Sequence, residues 1–442
     1  MSLNPELRRN LWLELTPTRL VVMPAVLFGV FVLTAVADGR QLGTASAATA
    51  LTLFVGLTWV WGAHLAAESV LSELRGRTWD WQRMSGIGPW PLAWGKLAGS
   101  TAYPWYGAVL CLAVFAAADH REVAQPGRIA ALLVLGGLLS QVVALLAAVQ
   151  AATRDRTFTR AQSTAWLVLA AFVISPLITA GFAVSRVDWY GTRFDSLAFA
   201  LPSMAVFLAF AAIGLWVQLR RELKVRTLPI AWPAFSLFLM AWSAGFIVGE
   251  RSTAPGYPLL AALLVAVTLT WATAFGERKD PVALRRLVRA LREERWRRAA
   301  EEAPSWLLTL PLVLAPAGLL VALPALLGEP DLWSVRWTLV AGLGFLGRDL
   351  ALLLYLNLGA RPRRADLFAA VLLLVGYVLV PLVFAALEWK AAMALLLPVP
   401  EHAPIAAASG LAQLAVLGFL LARRWRGRER AVEDSLPGAD QG

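Results

Sequence analysis

The stretch Ile129-Ala-Ala-Leu-Leu-Val-Leu-Gly-Gly-Leu-Leu-Ser-Gln-Val-Val-Ala-Leu-Leu-Ala-Ala-Val-Gln-Ala-Ala152 contains no ionisable side chain. As a helix it is about 36 Å long, enough to cross a hydrocarbon core of about 30 Å. Its apolar residues run without the alternation of a barrel strand, so a β-barrel is excluded. Eleven further segments read the same way. The twelve expected spans lie near 20–37, 44–67, 97–118, 128–152, 163–184, 196–217, 228–249, 257–275, 306–327, 336–357, 366–387 and 404–422. The 442 residues are 59% hydrophobic and 16% charged, against about 45–50% and 25% in soluble domains. That excess needs lipid as solvent. It excludes a soluble enzyme, a disordered scaffold and a disulfide-stapled secreted domain. The single cysteine, Cys111, forms no internal disulfide and reads as a buried structural thiol.

The charges then orient the chain. With the N-terminus in the cytoplasm, 31 of the 40 Lys and Arg residues fall on the cytoplasmic side and eight on the other, with Arg348 inside a span. Every inner segment is basic, which supports both the span count and cytoplasmic termini. The same asymmetry accounts for the net charge of +11 without nucleic acid. The expected fold class is an all-α polytopic membrane protein of about twelve helices, with a prokaryotic inner membrane as its natural home. No signal-peptide cleavage pattern precedes the first span, which is kept as a true span. The polar tail 431–442 reads as disordered.

Two long inner loops, 68–96 and 276–305, lie about half a chain apart. Short echoes share that offset: Leu57-Thr58-Trp59 with Leu269-Thr270-Trp271, and Pro24-Ala25 with Pro233-Ala234. These favour two six-helix halves, 1–222 and 223–430, arranged as parallel repeats because each holds an even number of spans.

The loop after span two is the most informative. It reads Glu68-Ser-Val-Leu-Ser-Glu73-Leu-Arg75-Gly76-Arg77-Thr78-Trp79-Asp80-Trp81-Gln82-Arg83, and Gly95-Lys96-Leu97 opens the next span. Val70, Leu71 and Leu74 share a helical face, and Gly76 is expected to end that helix. Thr78 or Asp80 is expected to cap a second short helix. Acidic, basic and aromatic groups on a short element at the membrane surface suit docking into a protein groove. A stretch of the form Glu-x-Arg-Gly-x-Thr-Trp-Asp, followed by Gly-Lys-Leu at the next span, resembles the type-two, exporter-class ABC transporter permeases. The resemblance covers about 1–120 well and weakens to about 220. It implies an amphipathic N-terminal helix, matched here by Leu3, Leu7, Leu11 and Leu15 on one face with Glu6, Arg8, Arg9 and Glu14 elsewhere. It also implies a coupling helix seated on an ATP-hydrolysing subunit. The residues that carry this role by match, or flank it, are Glu73, Arg75, Gly76, Arg77, Thr78, Trp79, Asp80, Gln82 and Arg83. Six spans per chain are usual in that family, so twelve is a departure, and the second half lacks an Arg-Gly-x-Thr segment.

Gly95-Lys96 is not a phosphate loop, which needs Gly-x4-Gly-Lys-Ser/Thr; Trp90 and Leu97 stand at the decisive positions. The expectation is therefore no cofactor in this chain, with ATP and Mg held by a partner. The expected partners are cytoplasmic ATPase subunits, as a dimer, together with membrane lipids and with room for a second permease copy. Segment 280–302 reads as one helix capped by Asp280 and started by Pro281, with Glu293–Arg297 and Glu294–Arg298 pairs. It is either a second coupling helix or an interfacial helix among anionic headgroups. Arg348 and Asp349 lie within span ten, where ionisable groups suggest function, although helix neighbours do not face each other and each is expected to pair with other helices. His64 and Glu68, four apart, read as a hydrogen-bonded pair. His64, His120 and His402 have no metal-ligand spacing. Trp12, Trp189, Trp306, Trp333 and Trp389 read as interface anchors. Sparse polar groups in the spans, Thr58, Ser140, Gln141 and Gln150, fit a hydrophobic or amphiphilic cargo. A twelve-span secondary transporter and a polytopic membrane transferase are the alternatives.

Overall fold

The structure, a computed structural model, describes residues 4–118, 125–154, 186–248, 254–277, 279–329, 331–359 and 365–433. It is dominated by helices. Among the described residues nine are long and apolar enough to cross a membrane, or ten if one bent pair counts as a single span. Their lipid-facing sides are apolar, as in the first span, where Val21, Phe28 and Leu33 are at least 70% exposed. This architecture fits an integral membrane protein. The chain divides into two compact units, one of Met1–Val187 with Arg193–Thr227, the other of Asp188–Thr192 with Leu228–Gly442.

The first unit begins with α1 (Pro5–Glu14) and the span α2 (Pro17–Ala37). A long second span follows: α3 (Thr44–Val55), a π-helical turn (Gly56–Trp61) and α4 (Gly62–Arg75). The π turn has a visible cause. Gln141 Nε2 donates to the Thr58 carbonyl at 2.9 Å, while Trp105 Nε1 donates to Gln141 Oε1 at 3.0 Å. A side chain inserted into the hydrogen-bond ladder widens it by one residue. Trp59 points away from its own helix and donates Nε1 to the Leu133 carbonyl at 2.9 Å. Its ring lies where a Cβ at Gly136 would sit only 2.0 Å away, so only glycine fits there. Thr58, Ser140 and Gln141 are thus buried and engaged within the bundle.

The short helix α5 (Trp79–Met84) precedes α6 (Pro89–Ser100) and α7 (Ala102–Ala117). The expected third span, 97–118, is therefore not one straight helix: α6 and α7 meet at 56°. Pro104 explains the break. It lacks an N–H, and its ring would clash with the carbonyl four residues earlier, at Ser100. α8 (Pro126–Arg154) carries the opening stretch of sequence. A two-stranded hairpin, β1 (Arg186–Trp189) and β2 (Thr192–Asp195), was not foreseen in an all-α chain, and α9 (Ser196–Glu222) follows it. The expected span at 163–184 lies outside the described residues.

In the second unit α10 (Ala231–Gly245) covers the expected span 228–249 with only 15 helical residues, about 22 Å and short of the core thickness. α11 (Gly256–Gly276) is a full span. The expected single helix at 280–302 is instead two, α12 (Pro281–Arg292) and α13 (Trp296–Glu302). Asp280 caps the first as expected, accepting from the Val282 N–H at 2.9 Å. The chain then turns through Glu294 in the left-handed conformation (φ 55°), so the expected Glu293–Arg297 and Glu294–Arg298 pairs cannot form. Arg295–Glu293 and Arg297–Glu301 pairs form in their place. The spans α14 (Ser305–Ala322) and α15 (Leu332–Asn357) come next. A span interrupted by a second π turn follows, made of α16 (Ala365–Leu374), Val375–Leu379 and α17 (Val380–Ala386). α18 (Lys390–Met393) and α19 (Ala403–Glu433) complete the chain. α15 and α19 pack closely through Ala341, Gly344, Ala406, Ala407 and Gly410, as small residues permit in lipid. Helix α19 continues through 431–433, where disorder was expected; the rest of that tail lies outside the described residues. Trp306, expected at an interface, is buried in the core of this unit.

The Leu-Thr-Trp echo falls on the second long helix of each unit. In both, the threonine is fully buried and its hydroxyl donates to the carbonyl four residues back, Thr58 to Phe54 and Thr270 to Ala266, each at 2.8 Å.

Candidate functional site

The end of the first unit where α1, α4, α5 and α6 meet holds most of the residues singled out from sequence. α4 ends in a Schellman closure: Thr78 N–H donates to the Glu73 carbonyl (2.9 Å) and Arg77 N–H to that of Leu74 (3.2 Å). The left-handed position is Arg77 (φ 56°), while Gly76 keeps ordinary right-handed backbone. The helix thus ends at Gly76 as expected, while the left-handed residue that closes it is Arg77. Thr78 occupies the N-cap position of α5 without a side-chain cap bond; its hydroxyl donates back to the Glu73 carbonyl (3.3 Å). Asp80, in the first turn, pairs with Arg83 at 3.3 Å.

This reversal turns α5 so that it has two faces. The inner face carries Trp79, only 5% exposed, and Gln82. Trp79 Nε1 lies 3.5 Å from Glu222 Oε2, and Arg83 Nε donates to the Glu222 carbonyl at 3.0 Å, which ties α5 to the end of α9. The outer face carries Asp80, Trp81 and Met84, the last two about three-quarters exposed at 73% and 72%.

Beneath the inner face lies a buried ionic brace. Lys96 is 1% exposed. Its Nζ contacts Glu73 Oε2 at 2.6 Å and Glu6 Oε1 at 3.2 Å, and sits 5.5 Å from the Trp79 ring centroid. Gln82 Nε2 donates to Glu73 Oε1 at 2.6 Å and to Glu6 Oε1 at 3.3 Å. Arg9 reaches Glu73 Oε1 at 3.2 Å, and Asn10 Nδ2 reaches Glu6 Oε1 at 3.2 Å. Two carboxylates and two cations make the cluster neutral, which burial demands. Burial alone would raise the Glu6 pKa; the Lys96 ion pair and hydrogen bond, with Arg9 and Asn10, overrule it and hold Glu6 below the ordinary carboxylate range.

The brace exists because α1 can approach α6. A Cβ at Gly95 would lie 2.7 Å from the Glu6 Cβ, and one at Gly99 2.5 Å from the Asn10 Cβ. Glu6, which the amphipathic pattern placed on the polar side of α1, is therefore 4% exposed. Of the nine coupling residues read from sequence, Glu73, Trp79 and Gln82 face inward and Arg83 is tied to α9. Arg75, Gly76, Arg77, Thr78 and Asp80 are exposed. Sequence reasoning missed Glu6, Arg9, Asn10, Lys96 and Glu222 as members of this cluster. The small-x3-small spacing of Gly95 and Gly99 was the signal available for a close helix approach.

The expected His64–Glu68 pair does not form. Glu68 is engaged by Arg75, two helical turns on along the same face, and His64 is exposed.

A second polar cluster lies inside α15 of the second unit. Arg348 and Asp349 do pair, contrary to the rule for helix neighbours, because the long arginine side chain folds over its neighbour: Arg348 Nε is 2.8 Å from Asp349 Oδ1. Arg348 also donates to Gln413 Oε1 of α19 (3.0 Å), and the Tyr377 hydroxyl, in the π turn after α16, donates to Asp349 Oδ2 (2.7 Å). The guanidinium lies under 5 Å from the Phe345 and Tyr377 ring centroids. These contacts join α15, α19 and the π turn through a neutral, partnered pair. At the end of the same unit Lys279 pairs with Asp366 Oδ1 at 2.7 Å, and Asn357 Nδ2 donates to that same oxygen at 2.7 Å.

Comparison with known protein families, with curated proteins and with solved structures gave no match.

Proposed function

We propose that the chain is the membrane permease subunit of an ABC-type exporter, with twelve spans, both termini in the cytoplasm and two six-helix halves in one polypeptide. Separate cytoplasmic ATPase subunits would drive it from a bacterial inner membrane. The observation that carries the reading is the two-faced α5. Its outer face offers Asp80, Trp81 and Met84 to a partner, with Arg77 exposed in the turn before it, while its inner face is locked to α1, α4 and α6 through Glu6, Glu73, Lys96 and Gln82. An element that passes force from a partner into spans needs both properties, because a loosely tethered one would absorb the motion. The rigid path runs directly into α4, the inner half of span two, and α6, which opens the bent pair α6–α7. The cargo fits a hydrophobic or amphiphilic class, since the polar groups of the spans, Thr58, Ser140 and Gln141, are engaged with protein.

In a secondary transporter Asp349 would be the coupling carboxylate. Its engagement by Arg348 and Tyr377 favours a helix clamp instead.

The test is affinity purification of the tagged full chain from its native membranes. ATP hydrolysis is expected in the complex and not in the chain stripped of partners. Turnover by the stripped chain, or crosslinked membranes that yield no ATP-hydrolysing partner, overturns the proposal.

A further inference from the structure

The hairpin of α12 and α13 is held at a defined height. Only residues 277–280 separate it from the end of α11 at Gly276, a reach of at most about 18 Å from Gly276 to Pro281. Ala303 and Pro304 alone separate it from α14. Leu287, Ala290 and Ala299 pack together, with Leu307 in the first turn of α14 against them. Lys279 pairs with Asp366 at the start of α16, and Arg285 donates to the Arg428 carbonyl near the end of α19 at 3.2 Å. The hairpin is thus clamped level with the ends of four apolar segments long enough to span: α11, α14, the interrupted Ala365–Ala386 and α19. In a bilayer that level is the headgroup layer, about 5–8 Å thick on each side.

The outward face at that level is cationic. Arg286, Arg295 and Arg297 pair with Glu302, Glu293 and Glu301. Arg289, Arg292 and Arg298 are exposed and have no ion pair among the described residues. Trp296, 68% exposed, and Val282, 57% exposed, stand on the same hairpin. An amphipathic ring and an apolar side chain beside arginines that have no ion pair among the described residues, with Glu294 exposed at the turn between the two helices, form the chemistry of a surface that lies among lipid phosphates.

We infer that the α12–α13 hairpin binds the phosphate headgroups of anionic glycerophospholipids through Arg289, Arg292 and Arg298. A protein groove would have to reach into the headgroup layer to meet the same arginines. The inference stands independently of the transporter reading.

The test uses the full chain in neutral detergent, with phosphatidylglycerol and phosphatidylcholine of identical acyl chains as probes and native mass spectrometry as the readout. Phosphatidylglycerol is expected to be retained over phosphatidylcholine. Arg289→Gln/Arg292→Gln/Arg298→Gln is expected to lower that retention about a hundredfold, roughly fivefold for each arginine at an anionic surface. The corresponding triple Arg→Lys variant is expected to keep it. Should the Gln variant fail to fold, the unmodified chain decides. Its preference must weaken from about 0.1 to about 1 M NaCl, where the screening length falls from about 10 to about 3 Å. Equal retention of the two lipids, a preference indifferent to salt, or full retention by the folded Gln variant overturns the inference. Displacement of the lipid by equimolar inorganic phosphate overturns it in favour of a free-phosphate site. Loss of a co-purifying protein from the Gln variant, with lipid retention unchanged, overturns it in favour of a protein partner.

Discussion

Trp79 and Trp81 stand two residues apart and should fail in opposite ways. Trp81 is 73% exposed; for an aromatic side chain of roughly 200 Å² that leaves about 150 Å² free to be covered by a partner. At about 25 cal/mol per Å² its burial is worth up to about 3.75 kcal/mol of docking. Trp81→Ala should therefore weaken binding of the proposed ATPase partner by about 2–3.5 kcal/mol, the range of an interface hot spot, and shift the stability of the chain by less than about 0.5 kcal/mol. Trp79 is 5% exposed, approaches Glu222 through its indole nitrogen and lies beside the Lys96 ammonium. Trp79→Ala should cost about 3–5 kcal/mol of folding stability, as for large aromatic truncations in cores, and should reduce docking only through loss of the folded platform. Thermal unfolding of each purified variant and titration with the co-purified ATPase separate the two quantities. Unchanged ATPase affinity in Trp81→Ala, together with weakened affinity but an unshifted unfolding transition in Trp79→Ala, would refute the assignment of faces.

Three further outcomes follow from the ionic clusters. Lys96→Met leaves Glu6 and Glu73 buried together with only the half-exposed Arg9 to balance them, so it should destabilise the chain by about 3–5 kcal/mol. Hydrogen exchange should then speed up across 5–14 and 79–84, and unaltered protection there would sink the brace. Glu6 is held below its ordinary value of 4.5, so its contribution is fully present above that pH and is lost as pH falls through the lower, folded-state value. The unfolding temperature should fall on acidification below about 4.5, with a shallower acid limb in Glu6→Gln; identical limbs would contradict the sign. Asp349→Asn leaves the Arg348 charge buried and should cost about 3 kcal/mol, whereas Arg348→Met/Asp349→Leu should restore most of that loss, as read by thermal unfolding in detergent. A double variant as unstable as the single one would mean that the pair does more than clamp α15 to its neighbours.

Much of the helical framework was legible because lipid leaves the chain few options. Each backbone polar group must be satisfied within its own segment, so a run such as 129–152 can only be a helix. The bend between α6 and α7 was not read from the apolar run, although Pro104 marks it. Nor were other features. Segment 280–302 carries the cap, the proline and the apolar spacing of one continuous helix, yet it turns at Glu294. The usual marker of such a turn is glycine, and a glutamate in that conformation leaves no trace in composition. The π turns were equally silent. Whether Gln141 inserts into the ladder beside Thr58 depends on two helices meeting in register, and that register is tertiary information. The Arg348–Asp349 contact escaped a rule derived from backbone geometry, because a long side chain can fold where its Cβ vector does not point.

The segment 73–83 shows the same division within a few residues. Its mixed charges and tryptophans were read as one docking surface, since a loop that only obeys topology needs basic residues alone. The position of Lys96 alters that reading. An ammonium 1% exposed must be matched by carboxylates, and the acids within reach are Glu73 from α4 and Glu6 from α1. Glu73 is therefore committed inward before any partner arrives, and Gln82 follows because its amide nitrogen bridges the same two carboxylates. What the brace does not consume is Arg77, Trp81 and Met84, with Asp80 engaged by Arg83 beside them. Arg77 holds a left-handed conformation that glycine would adopt without strain, as Lys224 and Glu294 do at the ends of other helices. Arg77→Gly should accordingly stabilise the end of α4 by up to about 1 kcal/mol while weakening ATPase docking. A variant that gained stability and kept full docking would place Arg77 outside the interface and confine the contact to α5 itself.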